Sequence, residues 1–254
     1  MRRRIMIAAI STVFASAPAS AQTQPSWTVS SGLELFSLRD IARSGPPVDA
    51  SPVSWEGSGP VVVIGYDRTS PGRRHGFEVS FANASGFEYR SPLVSSSAAS
   101  GDSASRVGWR YEYDRRILSR HVPALVAATI GVRGSGEFRS LTHSVDPSSD
   151  IGLSTRTAAA AVVLGASIGR GRRLSGDVRY GNAAVFGWLE PNRETSGSFG
   201  AGWTTDLDGG VAVRMSASLA LTARVLKRGD GFLSSHRSFS LSNPRFTVGV
   251  CYAR

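Results

Sequence analysis

The segment RVGWRYEYDRR, residues 106–116, indicates the fold most directly. Its apolar and charged residues alternate with a period of two, which is the period of a β-strand. One face carries Val107, Trp109, Tyr111 and Tyr113, and the other carries Arg106, Arg110, Glu112 and Asp114. A water-soluble core could not hold so many charges, whereas a barrel in a membrane has lipid outside and a polar lumen inside. The segment therefore predicts a transmembrane β-strand.

The same pattern recurs along the chain between turns and polar loops. Ten segments are predicted as strands: Trp27–Leu38, Pro60–Asp67, His75–Arg90, Arg106–Arg116, Val122–Arg133, Thr155–Ile168, Leu174–Trp188, Ser198–Asp206, Val211–Leu226 and Arg245–Ala253. An open sheet edge in lipid would leave backbone groups without partners, so the sheet must close. We expect an all-β fold, a closed antiparallel transmembrane β-barrel of about ten strands. Eight or twelve strands stay open, because residues 239–241 could join the last strand or lie outside it.

The predicted connections alternate between short and long. Residues 91–105 and 134–153 are predicted as long polar loops, and residues 206–210, Asp-Leu-Asp-Gly-Gly, as a tight turn. Gly229-Asp230-Gly231 is expected to begin a loop that leads into Ser-rich surface chain over residues 234–242. Short periplasmic turns and long outer loops are typical of outer-membrane barrels, and an even strand count places both termini in the periplasm.

The N-terminus predicts export. Three arginines at residues 2–4 precede an apolar run over residues 5–14, and Ala19-Ser20-Ala21 is a typical cleavage site. Residues 1–21 are therefore predicted as a signal peptide and residues 22–254 as the barrel domain. No later apolar run approaches the 18 residues of a membrane-spanning helix. The expected location is the bacterial outer membrane.

Charge and cysteine content narrow the partners and cofactors. The formal net charge is +10, but the arginines are scattered and an exported protein does not meet nucleic acid, so no nucleic-acid partner is expected. We expect outer-membrane lipid and anionic lipopolysaccharide as partners, and we expect the protein to be a monomer. Cys251 is the only cysteine, which excludes an internal disulfide and a cysteine-based metal site. We expect no cofactor and no metal.

Two sets of side chains follow from the predicted faces. Charged residues of the inward face should form salt-bridge networks in the lumen, since buried charges need partners. This set is Glu34, Glu78, Glu88, Arg90, Arg106, Arg110, Glu112, Asp114, Asp177, Arg179 and Arg214. Aromatic residues of the outward face should touch lipid. This set is Trp27, Tyr66, Phe77, Tyr89, Trp109, Tyr111, Tyr113, Phe186, Trp188, Phe199, Trp203 and Tyr252.

The chain resembles the bacterial outer-membrane β-barrel proteins, in general pattern the small single-chain barrels of the OmpA and OmpX type. The likeness rests on the signal ending Ala-Ser-Ala-Gln, the opening strand WTVSSG (residues 27–32) and the C-terminus FTVGVCYAR (residues 246–254). Thr247, Gly249 and Tyr252 fit the family's C-terminal insertion signal, while Arg254 departs from the usual final Phe. The resemblance implies insertion by the barrel-assembly machinery.

The expected function is non-enzymatic: envelope structure, surface interaction or limited passage of small solutes. The alternative is a lipid A deacylase-like hydrolase, suggested by the His-x-Ser spacing of His236 and Ser238. No carboxylate follows Asp230 to orient such a histidine, which disfavours it. An outer-membrane aspartyl protease would use acids and a histidine at the outer rim, and Asp146, Asp150 and His143 are its candidates.

Overall fold

The computed structural model describes most of the chain. The described residues are 24–42, 53–85, 88–91, 94–96, 102–121, 125–144, 150–170, 173–191, 197–233 and 237–253. The predicted signal peptide, residues 1–21, lies outside them, so the domain boundary stays a prediction. Among the described residues there is no helix long and apolar enough to cross a bilayer.

The described residues form β-strands joined by turns. In chain order the strands are β1 (Gln24–Ala42), β2 (Val53–Ser70), β3 (Arg73–Ser85), β4 (Glu88–Ser91), β5 (Val94–Ser96), β6 (Ser103–His121), β7 (Leu125–Ser144), β8 (Asp150–Arg170), β9 (Leu174–Pro191), β10 (Ser198–Arg214), β11 (Leu219–Leu233) and β12 (Arg237–Ala253). Strands β4 and β5 are short. β4 continues the pairing of β3 along β2, and β5 pairs with β4 just before β6 begins. Ten long strands therefore build the barrel.

Every long strand pairs antiparallel with its neighbours in sequence, and the first strand closes the sheet. β1 pairs with β2 along one edge and with β12 along the other, with Trp27 opposite both Tyr66 and Tyr252. No long strand in the described chain is left with an open edge. The prediction of a closed antiparallel barrel of about ten strands is confirmed, and residues 239–241 belong to the last strand.

Short turns gather at one end of the barrel with both described termini. The links after β2, β6, β8 and β10 lie at this end, which we call the short-turn end; the opposite end is the outer end. Between β2 and β3 the chain reverses through Pro71-Gly72, and Gly72 has a φ of 76°. Glycine adopts this left-handed conformation without the cost that a side chain would bring. Of the opposite links, the one between β1 and β2 is longer than these turns, whereas the one between β11 and β12 spans only residues 234–236, so the predicted alternation of short and long connections holds only in part.

Towards the short-turn end, the strands turn their large apolar side chains mainly outward and polar ones mainly inward, with a small buried cluster of Ala212, Ala220 and Cys251 as an exception. In β1, Leu33 and Leu35 are exposed while Glu34 is buried, and in β12 Phe246 and Val248 are exposed while Arg245 is buried. An exterior of exposed leucine, valine and aromatic side chains matches hydrocarbon rather than water. This outward surface is the apolar belt of the barrel.

Near the outer end the polarity reverses, although the strands continue. In β1, Phe36 and Leu38 are buried while Arg39 is exposed. In β12, Phe239 and Leu241 are buried while Ser240 is exposed. Apolar inside and polar outside is the arrangement of a protein in water. The barrel therefore projects beyond the membrane at its outer end.

Three predicted connections are wrong for this reason. Residues 134–153 are not a loop, because β7 runs to Ser144 and β8 begins at Asp150. The stretch from Gly229 to Gly231 is strand, and most of residues 234–242 belong to β12. The expected loop over residues 91–105 contains β5 and the start of β6. In each case the apolar residues change to the inward face, which interrupts the expected alternation without ending the strand.

The tight turn predicted at residues 206–210 is also wrong. These residues lie inside β10, and the reversal occurs at residues 215–218. Asp206 and Asp208 point into the barrel, where each meets arginine side chains. A Cβ atom on Gly210 would come within 2.4 Å of the Ala223 carbonyl oxygen, so a close strand approach explains this glycine. In this stretch the aspartates pair with arginines in the lumen and Gly210 allows two strands to approach closely, so these residue types do not form a turn here.

Candidate functional site: the barrel interior

A layer of paired charges fills the part of the lumen inside the apolar belt. At its centre the Glu112 carboxylate accepts hydrogen bonds from Arg74 at 3.0 Å and from Arg133 Nε at 2.5 Å. Arg179 lies 2.8 Å from the same carboxylate and also pairs with Asp177 at 3.0 Å. Three arginines share one glutamate, so the stability of this cluster depends on each of its members, because a buried charge without a partner is costly.

Further pairs extend the network around the lumen. Arg110 joins Glu78 at 2.8 Å to Asp208 at 2.9 Å, so it links β3 to β10 across the barrel interior. Arg245 of β12 also reaches Glu78, at 2.5 Å, and Arg224 of β11 reaches Asp208, at 2.7 Å. Two of these contacts, Arg110–Asp208 and Arg245–Glu78, connect strands that are not neighbours in the sheet. The network therefore braces the barrel across its diameter.

The outer part of the charge network involves Glu34 and Glu137. Arg106 binds Glu34 through two nitrogens and lies 3.6 Å from Glu137. Arg139 donates to Glu137 at 3.0 Å and to the Asn243 side-chain oxygen at 2.8 Å. All five side chains are buried. We call the whole set of paired charges the charged layer.

An apolar layer lies above the charged layer, towards the outer end. It is one cluster of buried side chains to which nine of the ten long strands contribute, all except β10. Its members are Phe36, Leu38, Trp55, Ala84, Ala104, Leu141, Leu153, Ala159, Ala161, Val163, Ala183, Val185, Leu189, Phe232, Phe239 and Leu241. The Arg139 guanidinium lies over the Phe36 ring, 5.3 Å from its centroid, where the two layers meet. Side chains from strands around the barrel meet in this cluster and occupy the lumen at this level.

The short-turn end is open by contrast. A cavity of about 960 Å³, including its mouth, is lined there by Asp67, Arg74, Arg179, Arg224 and neighbouring threonine and serine side chains. Asp114 and Asp177 line it as well, so the cavity reaches the charged layer from the short-turn end.

A histidine–aspartate pair lies at the outer end. His143 Nδ1 is 2.8 Å from Asp102 Oδ1, and the Trp55 ring packs edge-on against the imidazole with centroids 6.4 Å apart. Both side chains are almost fully buried, at 1% and 0% exposure. The predicted protease group stays a prediction, because Asp146 and the side chain of Asp150 lie outside the described residues; the structure adds Asp102 as a partner of His143.

The predicted lumen residues fall into three groups. Eight of them are inside the barrel and joined in the charged layer: Glu34, Glu78, Arg106, Arg110, Glu112, Asp114, Asp177 and Arg179. Glu88 and Arg214 are half-buried near the strand ends, and the side chain of Arg90 lies outside the described residues. Sequence reasoning missed Asp67, Arg74, Arg133, Glu137, Arg139, Asp206, Asp208, Arg224, Arg228, Asp230 and Arg245. Extending each strand at its own inward parity would have found most of them.

The predicted lipid-facing aromatics are mostly on the exterior. Those with exposed side chains are Trp27, Phe77, Trp109, Tyr111, Phe186, Trp188, Phe199, Trp203 and Tyr252. Tyr66 and Tyr113 are half-exposed, and the side chain of Tyr89 lies outside the described residues. Their contact with lipid stays a prediction. Phe81, Phe138 and Phe246 are exposed as well and were missed.

The remaining candidate residues form no catalytic group within the described chain. His236 lies outside it, and Ser238 is a half-buried residue of β12 opposite Leu233. No group of histidine, cysteine, aspartate or glutamate side chains that could hold a metal ion occurs among the residues that the structure describes.

Comparison with known proteins supports the fold. No family model matches the chain, and no curated protein matches it significantly. The outer-membrane protease OmpT from Escherichia coli superimposes with a TM-score of 0.63 at 8% identity, covering 95% of this chain and all of that one. Neisserial surface protein A (TM-score 0.34, 11% identity) and the β-domain of the Bordetella autotransporter BrkA (TM-score 0.36, 12% identity) are also similar. They cover 89% and 92% of this chain, and 96% and 100% of their own.

The closed sheet, the apolar belt and the polar interior together define the class. The chain has the fold of the bacterial outer-membrane β-barrels, with ten strands. At 8% identity the likeness to OmpT concerns the fold alone.

Proposed function

We propose that this chain is a non-enzymatic barrel of the bacterial outer membrane that serves envelope structure and surface interaction, not diffusion. The observation that carries the proposal is the closed interior. Buried ion pairs occupy the lumen within the membrane, and the apolar layer spans it above. Small barrels have interiors that side chains can fill. Of the roles that the sequence suggested, limited solute passage is the least supported by this interior.

The exterior gives further support. Without an unpaired strand in the described barrel, no edge is available to pair with a second copy, which favours a monomer. The exposed side chains at the outer end include the charged residues Arg39, Glu56, Arg156 and Glu190, beside the apolar Phe199 and Leu233. Such a surface suits contact with lipopolysaccharide and with molecules outside the cell. Insertion by the barrel-assembly machinery completes this proposal.

Planar-bilayer conductance tests the closed lumen. Refolded protein, verified by a migration shift between unboiled and boiled samples, should insert without producing steady current, while a refolded porin in the same bilayer conducts. The double variant Trp55→Ala/Leu141→Ala removes two of the largest side chains of the apolar layer and should raise the frequency of brief openings. Reproducible steady conductance of the unchanged protein would contradict the proposal.

Activity assays separate this proposal from the enzymatic alternatives. Neither fatty-acid release from lipid A nor cleavage of a peptide library should be detected. Release that disappears in both His236→Ala and Ser238→Ala would establish the deacylase reading instead. OmpT is a protease by name, which suggests proteolysis as another alternative for this chain. The imidazole of His143 is buried with Asp102, so a substrate would have no access to it. Cleavage lost in His143→Ala would overturn that interpretation.

A further inference from the structure

Three arginines, Arg68 of β2, Arg73 of β3 and Arg115 of β6, lie on the outside of the barrel wall at the short-turn end. Arg73 is directly opposite Arg115 in the β3–β6 pairing, and Arg68 is opposite His75 in the β2–β3 pairing. All three arginine side chains are exposed. Like charges at directly opposite positions in a sheet repel each other. The Arg73–Arg115 pair therefore costs stability unless an anion lies between the two groups.

The described residues do not supply that anion. None of their carboxylates is within ion-pair distance of Arg68, Arg73 or Arg115. The carboxylates at this end, Asp67 and Asp114 among them, face the lumen and bind Arg74. The three arginines are thus exposed without an ion-pair partner among the described residues, and Arg73 also borders the mouth of the lumen cavity.

The surroundings of Arg115 are apolar. Tyr113 precedes it on the outward face of β6, and Ile130 lies opposite it on β7. A β-bulge between Arg116 and Leu118 turns Ile117 and Leu118 outward together, with exposures of 61% and 59%. Bulges redirect side chains in this way and are frequent at functional sites. Arg115 therefore sits within the edge of the apolar belt, with apolar surface on both sides along its strand.

A histidine and two tyrosines complete the group. His75 Nδ1 is 2.9 Å from the Tyr111 hydroxyl, and the His75 ring packs on Tyr113 with centroids 4.9 Å apart. When the tyrosine hydroxyl donates to Nδ1, the neutral imidazole carries its proton on Nε2 and can donate it to a ligand. Tyrosine rings at this depth are typical of the level of the lipid headgroups.

We propose that Arg68, Arg73 and Arg115, with His75, form a site for the phosphate of an anionic glycerophospholipid in the leaflet at the short-turn end. The phosphate would lie between Arg73 and Arg115 and relieve their repulsion, while the acyl chains cover Ile117, Leu118 and Ile130. Guanidinium groups bind phosphate oxygens through paired, charge-assisted hydrogen bonds. The inference depends on membrane insertion and is independent of whether the lumen conducts.

The test compares two lipids and two double variants. Refolded protein in non-ionic detergent is titrated with phosphatidylglycerol or with phosphatidylcholine of the same acyl chains, and bound lipid is counted by native mass spectrometry. Arg73→Gln/Arg115→Gln removes the site. Arg39→Gln/Arg173→Gln removes the same charge from exposed arginines elsewhere and is the matched control. A gel-migration shift on boiling confirms that each variant is folded.

The expected result is one phosphatidylglycerol bound in preference to phosphatidylcholine. Its affinity should fall about tenfold or more in Arg73→Gln/Arg115→Gln, as for the loss of charge-assisted hydrogen bonds, and change less than about twofold in the control. Thermal unfolding should agree: phosphatidylglycerol raises the midpoint of the unchanged protein and of the control, but not of the site variant. Equal binding of the two lipids, or equal loss in both double variants, would overturn the proposal.

Discussion

Glu112 is the acceptor on which the charged layer converges, so its removal should be felt across the barrel. Three arginines surround its carboxylate at 2.5–3.0 Å: Arg74, Arg133 and Arg179. The Arg133 side chain has no exposure, and that of Glu112 has 4%. Glu112→Gln keeps the size and one oxygen acceptor but removes the negative charge. The perturbation is therefore electrostatic, with little change in packing.

The magnitude follows from the contacts that stay. Two unit charges about 4 Å apart attract by about 4 kcal/mol at an effective dielectric constant near 20. Each arginine keeps another carboxylate: Arg74 keeps Asp67 at 2.6 Å, Arg133 keeps Asp206 at 2.5 Å, and Arg179 keeps Asp177 at 3.0 Å. Loss of the buried Glu112 charge also removes its own desolvation cost. Because every arginine keeps a carboxylate, we expect Glu112→Gln to lower the free energy of unfolding by about 2–3 kcal/mol, less than the about 3–5 kcal/mol lost when a buried charge is left without a partner.

Urea unfolding in lipid vesicles, followed by tryptophan fluorescence and gel migration, measures this loss. The matched control is Glu190→Gln, the same chemical change at the outer surface. Glu190 and Arg156 are 3.8 Å apart, with exposures of 50% and 64%. A pair that exposed contributes less than about 1 kcal/mol. If Glu112→Gln changed stability no more than Glu190→Gln, the charged layer would not stabilise the barrel and the reasoning would fail.

The remaining predictions concern the two faces of the strands. In single-tryptophan variants, lipids with brominated acyl chains should quench Trp109 and Trp203, which are 48% and 58% exposed, but not Trp55, which is 2% exposed in the apolar layer. Comparable quenching of all three would contradict the assigned faces. Val162→Arg, in the middle of the belt on β8, should cost about 2–4 kcal/mol, and Val213→Arg, one residue from the end of β10, about 0–1 kcal/mol. Equal costs in urea titrations would show that the two sites do not differ in depth.

The class of fold was predictable because the membrane imposes a simple rule on each strand. Inside the belt, apolar and polar residues must alternate, and the segment from Val107 to Asp114 shows this rule without interruption. The same rule assigned Glu78, Glu112 and Arg179 to the lumen and the aromatic residues next to them in sequence to the outward face. The ion pairs across the lumen could not be predicted, because they join β6 to β10 and β3 to β12, and the stagger of a closed sheet is not visible in one sequence.

Strand ends were harder to predict because the solvent outside the barrel changes along each strand. Where β7 leaves the membrane, apolar residues move from the outward positions, such as Phe138, to the inward positions, such as Leu141. Periodicity read from the sequence shows only an interruption there. The prediction of a turn at Asp-Leu-Asp-Gly-Gly was wrong for another reason. Aspartate and glycine are typical turn residues, so the sequence indicated a turn. In the structure the two aspartates pair with Arg133 and Arg110 in the lumen.

The reversal of polarity also explains why the lumen is closed. Beyond the membrane the barrel wall has water on its outer side, and the wall can be stable only if it buries apolar side chains on its inner side. Leu38, Leu141 and Leu189 are therefore the hydrophobic core of the projecting part, contributed by strands from around the barrel. A pore through this region would need a polar inner surface, which would leave the projecting strands with no apolar face to bury. The same buried apolar side chains thus fill the lumen and stabilise the outer end of the barrel.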